Sequence, residues 1–160
     1  MRKFLTALLV VTLLAATVLC CVGCKEKVEG SALELMDKLA ADGKIVFEHS
    51  YNDQYQSETI VKVSVGDTTI QDDYTANSYL TYYANLDDKD YADYTVDPIT
   101  FKGEKYYLTA VTLEKIPYSE GLKILFVQTV WSGDFSSSAV SKDKAILISL
   151  PNGAEATTLN

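Results

Sequence analysis

His49 is the only histidine in this chain of 160 residues, so acid–base or triad chemistry that needs an imidazole must use it. A hydrolase would pair His49 with an Asp and a Ser. The Gly-x-Ser-x-Gly sequence that presents a serine nucleophile in many hydrolases is absent. His49 is expected to lie on the same face of a strand as Ile45, Phe47 and Tyr51. This position favours a half-buried histidine that is hydrogen-bonded to a neighbour. The sequence therefore predicts no catalytic residues. The alternative is a hydrolase that uses His49.

Five aspartates crowd eleven consecutive residues, and carboxylate oxygens are the ligands that calcium prefers. Their spacing is not that of an EF-hand, because the glycine that turns such a loop and its closing glutamate are missing. An exposed loop with Asx turns fits the pattern better. We predict no metal or cofactor, although a calcium site would be sought here first. The five residues are Asp87, Asp88, Asp90, Asp93 and Asp97.

Tyrosine is the dominant aromatic residue, with 11 Tyr against five Phe and one Trp. A tyrosine combines apolar area with a polar hydroxyl, so it suits exposed sheet faces as well as contact surfaces for protein or sugar. The densest group adjoins the aspartates, and we predict that it forms the ligand-binding surface. Its members are Tyr79, Tyr82, Tyr83, Tyr91 and Tyr94.

One helix and a succession of strands must position these side chains. Ser31 and Glu34 have the spacing of a capping box, and the apolar residues that follow recur at helical intervals. These features predict an amphipathic helix over residues 32–42, with Gly43 as its stop. After Gly43 the apolar residues alternate, which is the period of a β-strand.

The alternating segments predict about seven strands, with hairpin turns at Gly66-Asp67 and at residues 102–104. The segment 122–131 is apolar on both faces and is predicted to be a central strand. We place residues 79–86 in a strand and residues 132–144 in an exposed loop. The predicted fold is α+β, with one N-terminal amphipathic helix packed on a curved antiparallel β-sheet or open barrel.

The start of the chain has the pattern of an export signal, because Arg2 and Lys3 precede an apolar run over residues 4–19. The sequence Cys21-Val22-Gly23-Cys24 then resembles the lipobox of a bacterial lipoprotein precursor. In that family, two small or moderately small residues precede the cysteine that receives a diacylglyceryl group. Cys21 departs from the leucine that is usual at the first position.

The resemblance implies a signal peptide over residues 1–23, lipid attachment at Cys24 and a tether that extends to residue 30. Residues 31–160 would then form a single domain. The alternative is an uncleaved anchor over residues 4–23, whose 20 uncharged residues are long enough to span a bilayer. In both cases the positive start stays in the cytoplasm and the domain lies outside it.

Composition excludes several classes of function for the segment that follows the signal. All three cysteines lie at or before Cys24, so this segment has no thiol for a disulfide, a zinc site or a nucleophile. The signal holds two of the 14 Lys and Arg residues and none of the 22 Asp and Glu residues, which leaves a formal net charge of −10 and no arginine. Such an acidic domain is repelled by nucleic acid.

We therefore expect a lipoprotein that is anchored to the cell membrane through acylated Cys24 and faces away from the cytoplasm. Its domain is expected to bind an envelope protein, a glycan or a lipid without catalysing a reaction. A carrier of a lipid or another apolar ligand is an alternative, as is the hydrolase that uses His49.

Overall fold

Helix α1 (Ala32–Ala41) begins at the predicted capping box. In this computed structural model the described residues are 29–134 and 137–159. The Ser31 hydroxyl accepts a hydrogen bond from the Glu34 amide at 3.3 Å, and the Glu34 carboxylate accepts one from the Ser31 amide at 2.9 Å. Gly43 follows the helix with a φ of 70°, which a glycine adopts without strain. The predicted signal peptide and Cys24 lie outside the described residues.

Ten strands follow the helix in the described part of the chain. They are β1 (Val46–Asn52), β2 (Ser57–Val65), β3 (Thr68–Gln71), β4 (Ser78–Ala84), β5 (Ala92–Asp93), β6 (Ile99–Phe101), β7 (Glu104–Thr109), β8 (Lys123–Trp131), β9 (Ser138–Ser149) and β10 (Gly153–Thr157). A 3-10 helix (Leu113–Lys115) lies between β7 and β8.

The strands form two antiparallel sheets. The small sheet has the order β1-β2-β3, and the large sheet has the order β10-β9-β8-β4-β7-β5, with β6 paired to β7. The predicted turns are present: Gly66 has a φ of 55° between β2 and β3, and Lys102 and Gly103 both have positive φ between β6 and β7. Positive φ at both central residues is what a two-residue type I′ turn requires.

Strand β8 is the centre of the molecule, as its two apolar faces predict. Ile124 and Phe126 belong to a core that joins α1 and the small sheet to one face of the large sheet. Leu125 and Val127 belong to a second core on the other face, which β6 covers with Phe101. Because successive residues of a strand point to opposite faces, one strand contributes to both cores.

The α+β fold with antiparallel sheets is thus confirmed, but the arrangement differs from the single sheet or open barrel of about seven strands. The described residues form two separate sheets and ten strands. Strands β5 and β10 were not predicted, because β5 consists of only two residues and the run Ala154-Glu155-Ala156 contains no β-branched residue. Among the described residues, no helix has the length and apolar character needed to cross a membrane.

The segment 132–144 was wrongly predicted to be entirely loop. Strand β9 begins at Ser138, and its residues 138–140 pair with the end of β8. Residues 138–140 lie between serines and the polar run 141–144, so the segment as a whole gave no clear hydrophobic signal for a strand. Their extended conformation follows from pairing with Thr129, Val130 and Trp131, which is a tertiary effect.

Candidate functional site

A cleft opens in the small sheet beyond the end of β3. The last pair between β2 and β3 joins Lys62 to Gln71, and the chain leaves the sheet at Asp72. Residues 57–60 of β2 therefore pair only with β1 among the described strands. Because β3 ends at Gln71, one edge of this part of β2 has no partner among the described strands, beside the turn that leads to β4.

A β-bulge adds to the irregularity of the sheet at the same place. Glu48 of β1 opposes Lys62, whereas the next residue, His49, opposes Ile60. Val61 is therefore an extra residue without a partner on β1, and its side chain is exposed. Bulges bend a strand and redirect side chains, and they are common beside functional sites.

The large sheet holds the end of β3 in position. Residues 141–144 of β9 oppose only Gln128 of β8, which is a second irregularity in pairing. The buried Gln128 side chain reaches across to the small sheet, where its Nε2 donates a hydrogen bond to the Gln71 carbonyl at 2.8 Å. This hydrogen bond connects Gln71, which lines the cleft, to the central strand β8.

Two aspartates fix the turn that follows β3. Asp72 Oδ1 accepts a hydrogen bond from the Leu80 amide at 2.7 Å. Asp73 Oδ1 accepts bonds from the Thr75 hydroxyl at 2.7 Å, the Thr75 amide at 3.0 Å and the Ala76 amide at 3.2 Å. These bonds, led by that of the hydroxyl, lower the pKa of Asp73. Asp73 therefore stays ionised at neutral pH and keeps the turn closed.

Tyr74 projects from this turn with 72% of its surface exposed. Its ring meets Tyr79 edge to face at a centroid distance of 5.8 Å, and its hydroxyl donates to Asp72 Oδ2 at 3.2 Å. The negative charge of Asp72, together with this hydrogen bond, raises the pKa of Tyr74, so the phenol keeps its proton at neutral pH. An exposed aromatic ring is thus oriented before any ligand arrives, which reduces the entropy lost on binding.

The cleft, which we call the Tyr74 cleft, has a volume of about 370 Å³. Its lining combines an aromatic ring, the exposed aliphatic side chain of Val61, two hydroxyls, an amide and a carboxylate, together with Ile60, whose side chain belongs to the first core. Of the described residues that line it, Asp72 alone carries a charge. The lining residues are Ser50, Thr59, Ile60, Val61, Gln71, Asp72 and Tyr74.

The structure does not bring the five predicted tyrosines together on one surface. Tyr82 packs against Phe126 in the first core, whereas the neighbouring Tyr83 is 3% exposed in the second core. Burial raises the pKa of both phenols. Tyr91 is partly buried against the first core. Only Tyr79 reaches the Tyr74 cleft, through its contact with Tyr74.

The fifth, Tyr94, belongs to a separate exposed cluster with Tyr107 and Asp87. The two rings are 5.6 Å apart, and the Tyr94 hydroxyl donates to Asp87 Oδ1 at 2.7 Å. This bond is the main cause that raises the pKa of Tyr94 to about 12. Burial and the same carboxylate raise the pKa of Tyr107. Tyr94 thus resembles Tyr74 in its bond to an aspartate but lies outside the Tyr74 cleft, so it can serve as a control.

The aspartate run forms Asx turns, as the favoured interpretation predicts. Asp88 Oδ1 accepts the Asp90 amide at 2.9 Å, and Asp93 Oδ1 accepts the amide and hydroxyl of Thr95 at 2.8 and 2.6 Å. Across the described part of the chain, no three His, Cys, Asp or Glu side chains are placed to share a metal ion.

His49 contacts a carboxylate through each ring nitrogen. Nδ1 is 2.9 Å from Glu58 Oε2 on β2, and Nε2 is 3.0 Å from Asp37 Oδ1 on α1. These acidic partners, Glu58 first, raise the pKa of His49. A catalytic triad leaves one nitrogen facing a serine hydroxyl, whereas both nitrogens of His49 face acids. The geometry therefore favours a structural link between α1 and the small sheet.

Sequence reasoning missed the residues at the centre of the cleft, namely Gln71, Asp72 and Tyr74. One signal was available, because Asp72-Asp73-Tyr74-Thr75 places an aromatic residue inside a turn sequence between two strands. A tyrosine in such a turn has no core to fill, so its exposure could have been anticipated.

Comparisons with protein-family models, with curated proteins and with solved structures find no match to this chain.

Proposed function

We propose that this protein is a lipid-anchored extracytoplasmic domain that binds a ligand in the Tyr74 cleft without transforming it. The observation that carries the proposal is the fixed, exposed ring of Tyr74 beside a cleft of mixed hydroxyl, amide and carboxylate character. Hydrogen bonds of Asp72 and Asp73 hold the ring in place before a ligand binds. A few convergent polar groups beside an apolar contact are the usual composition of a small-molecule site.

The composition of the cleft supports binding rather than catalysis. Hydrolysis by acid–base chemistry usually needs two groups that exchange protons, such as the paired carboxylates of glycosidases. Among the described residues that line the Tyr74 cleft, Asp72 is the single acid. Both of its oxygens already accept hydrogen bonds, from the Leu80 amide and the Tyr74 hydroxyl.

The anchor is proposed from the sequence. An acylated Cys24 would hold the protein at the membrane surface, and two acyl chains suffice for stable attachment. The acidic domain would then face the envelope, where glycans, lipids and envelope proteins are the available ligands. Its formal charge of −10 beyond the signal disfavours anionic polymers, including nucleic acid.

A thermal-shift experiment tests the binding site. The full chain, in a non-ionic detergent without a sugar headgroup, is melted with and without an extract of the native host's envelope. Ligand that binds the folded state raises the melting temperature. We expect a rise for the wild type and for Tyr94→Ala, and its loss in Tyr74→Ala. An equal rise in all three proteins would refute the assignment of the site to the cleft.

A further inference from the structure

We infer that the ligand of the Tyr74 cleft is a neutral sugar, with one face of its ring stacked on Tyr74. This inference rests on the proposed function and adds the chemical class of the ligand. The cleft volume of about 370 Å³ lies at the lower end of the roughly 300–1,000 Å³ of small-molecule sites. A ligand of one or two sugar rings suits this size.

Stacking is the first feature that favours a sugar. One face of a pyranose ring presents several C–H groups, which are apolar and slightly positive. The face of an aromatic ring is slightly negative, so the two surfaces attract each other as they exclude water. Tyr74 offers such a surface, because 72% of it is exposed while Tyr79 and Asp72 hold its orientation.

The hydrogen-bonding groups around the ring are the second feature. The hydroxyls of Ser50 and Thr59 and the amide of Gln71 each both donate and accept hydrogen bonds. Sugar hydroxyls have the same dual character, so the two sets can satisfy each other. Each oxygen of Asp72 accepts one hydrogen bond within the fold and has a further lone pair that can accept a bond from a ligand hydroxyl.

Charge decides between a neutral ligand and a charged one. Asp72 and the acidic surface repel an anion, and the described lining residues include no lysine that would offset this. A cation would be attracted to Asp72 and to the ring of Tyr74, but it offers no acceptor for the donors of Ser50, Thr59 and Gln71. A neutral polyhydroxylated ligand can pair with every polar group in the lining.

The test is a titration of the full ¹⁵N-labelled chain, in detergent without a sugar headgroup, followed by amide signals. The probes are cellobiose, maltose, mannobiose and N,N′-diacetylchitobiose, with galacturonate as the anion and tetramethylammonium as the cation. We expect at least one neutral disaccharide to shift the amides of residues 59–61 and 71–74. Tyr74→Ala should weaken this binding by about tenfold or more, since aromatic anchors dominate many binding sites.

Tyr94→Ala is the matched control, because Tyr94 is also an exposed tyrosine whose hydroxyl donates to an aspartate. It should leave the affinity for the disaccharide unchanged. The inference is overturned if no neutral disaccharide shifts the cleft amides, if tetramethylammonium or galacturonate shifts them instead, or if Tyr74→Ala binds as the wild type does. If envelope extract shifts the cleft amides while the disaccharides do not, the sugar class is wrong and the proposed function survives. If neither shifts them, both fail.

Discussion

Replacing His49 with Gln should remove most of the change in this protein's stability between about pH 6 and pH 9. His49 is the only histidine, and its imidazole lies between Glu58 and Asp37, which come from different elements. Glu58 is itself held in place, because its backbone amide donates a hydrogen bond to the Glu114 carboxylate at 2.9 Å. The protonated imidazole is therefore stabilised in the folded state, and the pKa of His49 is raised.

The magnitude follows from the exposure of each partner. The side chains of His49 and Glu58 are both 24% exposed, so their charged hydrogen bond should contribute about 1.5 kcal/mol, the lower end of its class. Asp37 is 48% exposed, and solvent screening reduces its contribution to about 0.5 kcal/mol. The protonated imidazole thus stabilises the fold by about 2 kcal/mol.

The sign of the pH dependence follows from the raised pKa of His49. The stabilisation is fully present below the unfolded-state pKa, about 6.5, and is lost as the pH rises through the higher folded-state pKa. The free energy of unfolding, measured by urea denaturation at steps of pH, should therefore fall in the wild type and change less in His49→Gln. The difference between the two proteins isolates His49, because their other titrating groups are shared.

Two carboxylate variants sharpen the same experiment. Glu58→Gln should reduce the pH dependence more than Asp37→Asn, because Glu58 is the less exposed partner and the larger cause of the raised pKa. A difference between wild type and His49→Gln that stays constant from pH 6 to pH 9 would refute the reasoning. It would mean that the imidazole is neutral between the two acids.

Three further variants test packing, capping and a second ion pair by urea denaturation. Phe126→Ala should lose about 3–5 kcal/mol, because the ring is fully buried; a loss below about 1 kcal/mol would contradict its place in the core. Ser31→Ala should lose about 1 kcal/mol with the helix cap, and an unchanged protein would contradict the capping box. The Lys123 ammonium and the Tyr106 hydroxyl both donate to Glu104, at 2.6 and 2.8 Å, and these bonds lower the pKa of Glu104. The stability that Glu104 contributes is present above the unfolded-state pKa of Glu and is lost as the pH falls through the lowered folded-state pKa. Lys123→Met should therefore show a smaller fall in the free energy of unfolding at low pH. The same fall in the variant and the wild type would contradict the pairing.

Local chemistry made parts of the fold predictable from sequence. The helix was recognisable because Ser31 and Glu34 satisfy each other's backbone donors within one turn. The central strand β8 was recognisable because its apolar residues occupy both faces. In each case the residues that carry the signal are the residues that form the element.

The parts that sequence reasoning missed depend on distant partners. Residues 138–140 are extended because they pair with β8, and β10 exists because residues 153–157 pair with β9. The Tyr74 cleft depends on where β3 stops, and Gln128 holds that end from another sheet. The predicted tyrosine surface did not form because residues that are adjacent in sequence lie apart in the fold. Tyr82 and Tyr83 are successive residues of one strand and point into different cores.

The most direct test of the proposed lipid anchor is the intact mass of the protein recovered from membranes of its native host, compared with that of Cys24→Ala. We predict loss of residues 1–23 and an added acyl mass, both abolished by the substitution. An unmodified full-length mass in the membrane would contradict it, because residues 4–23 would then be a spanning anchor and Cys24 would carry no lipid.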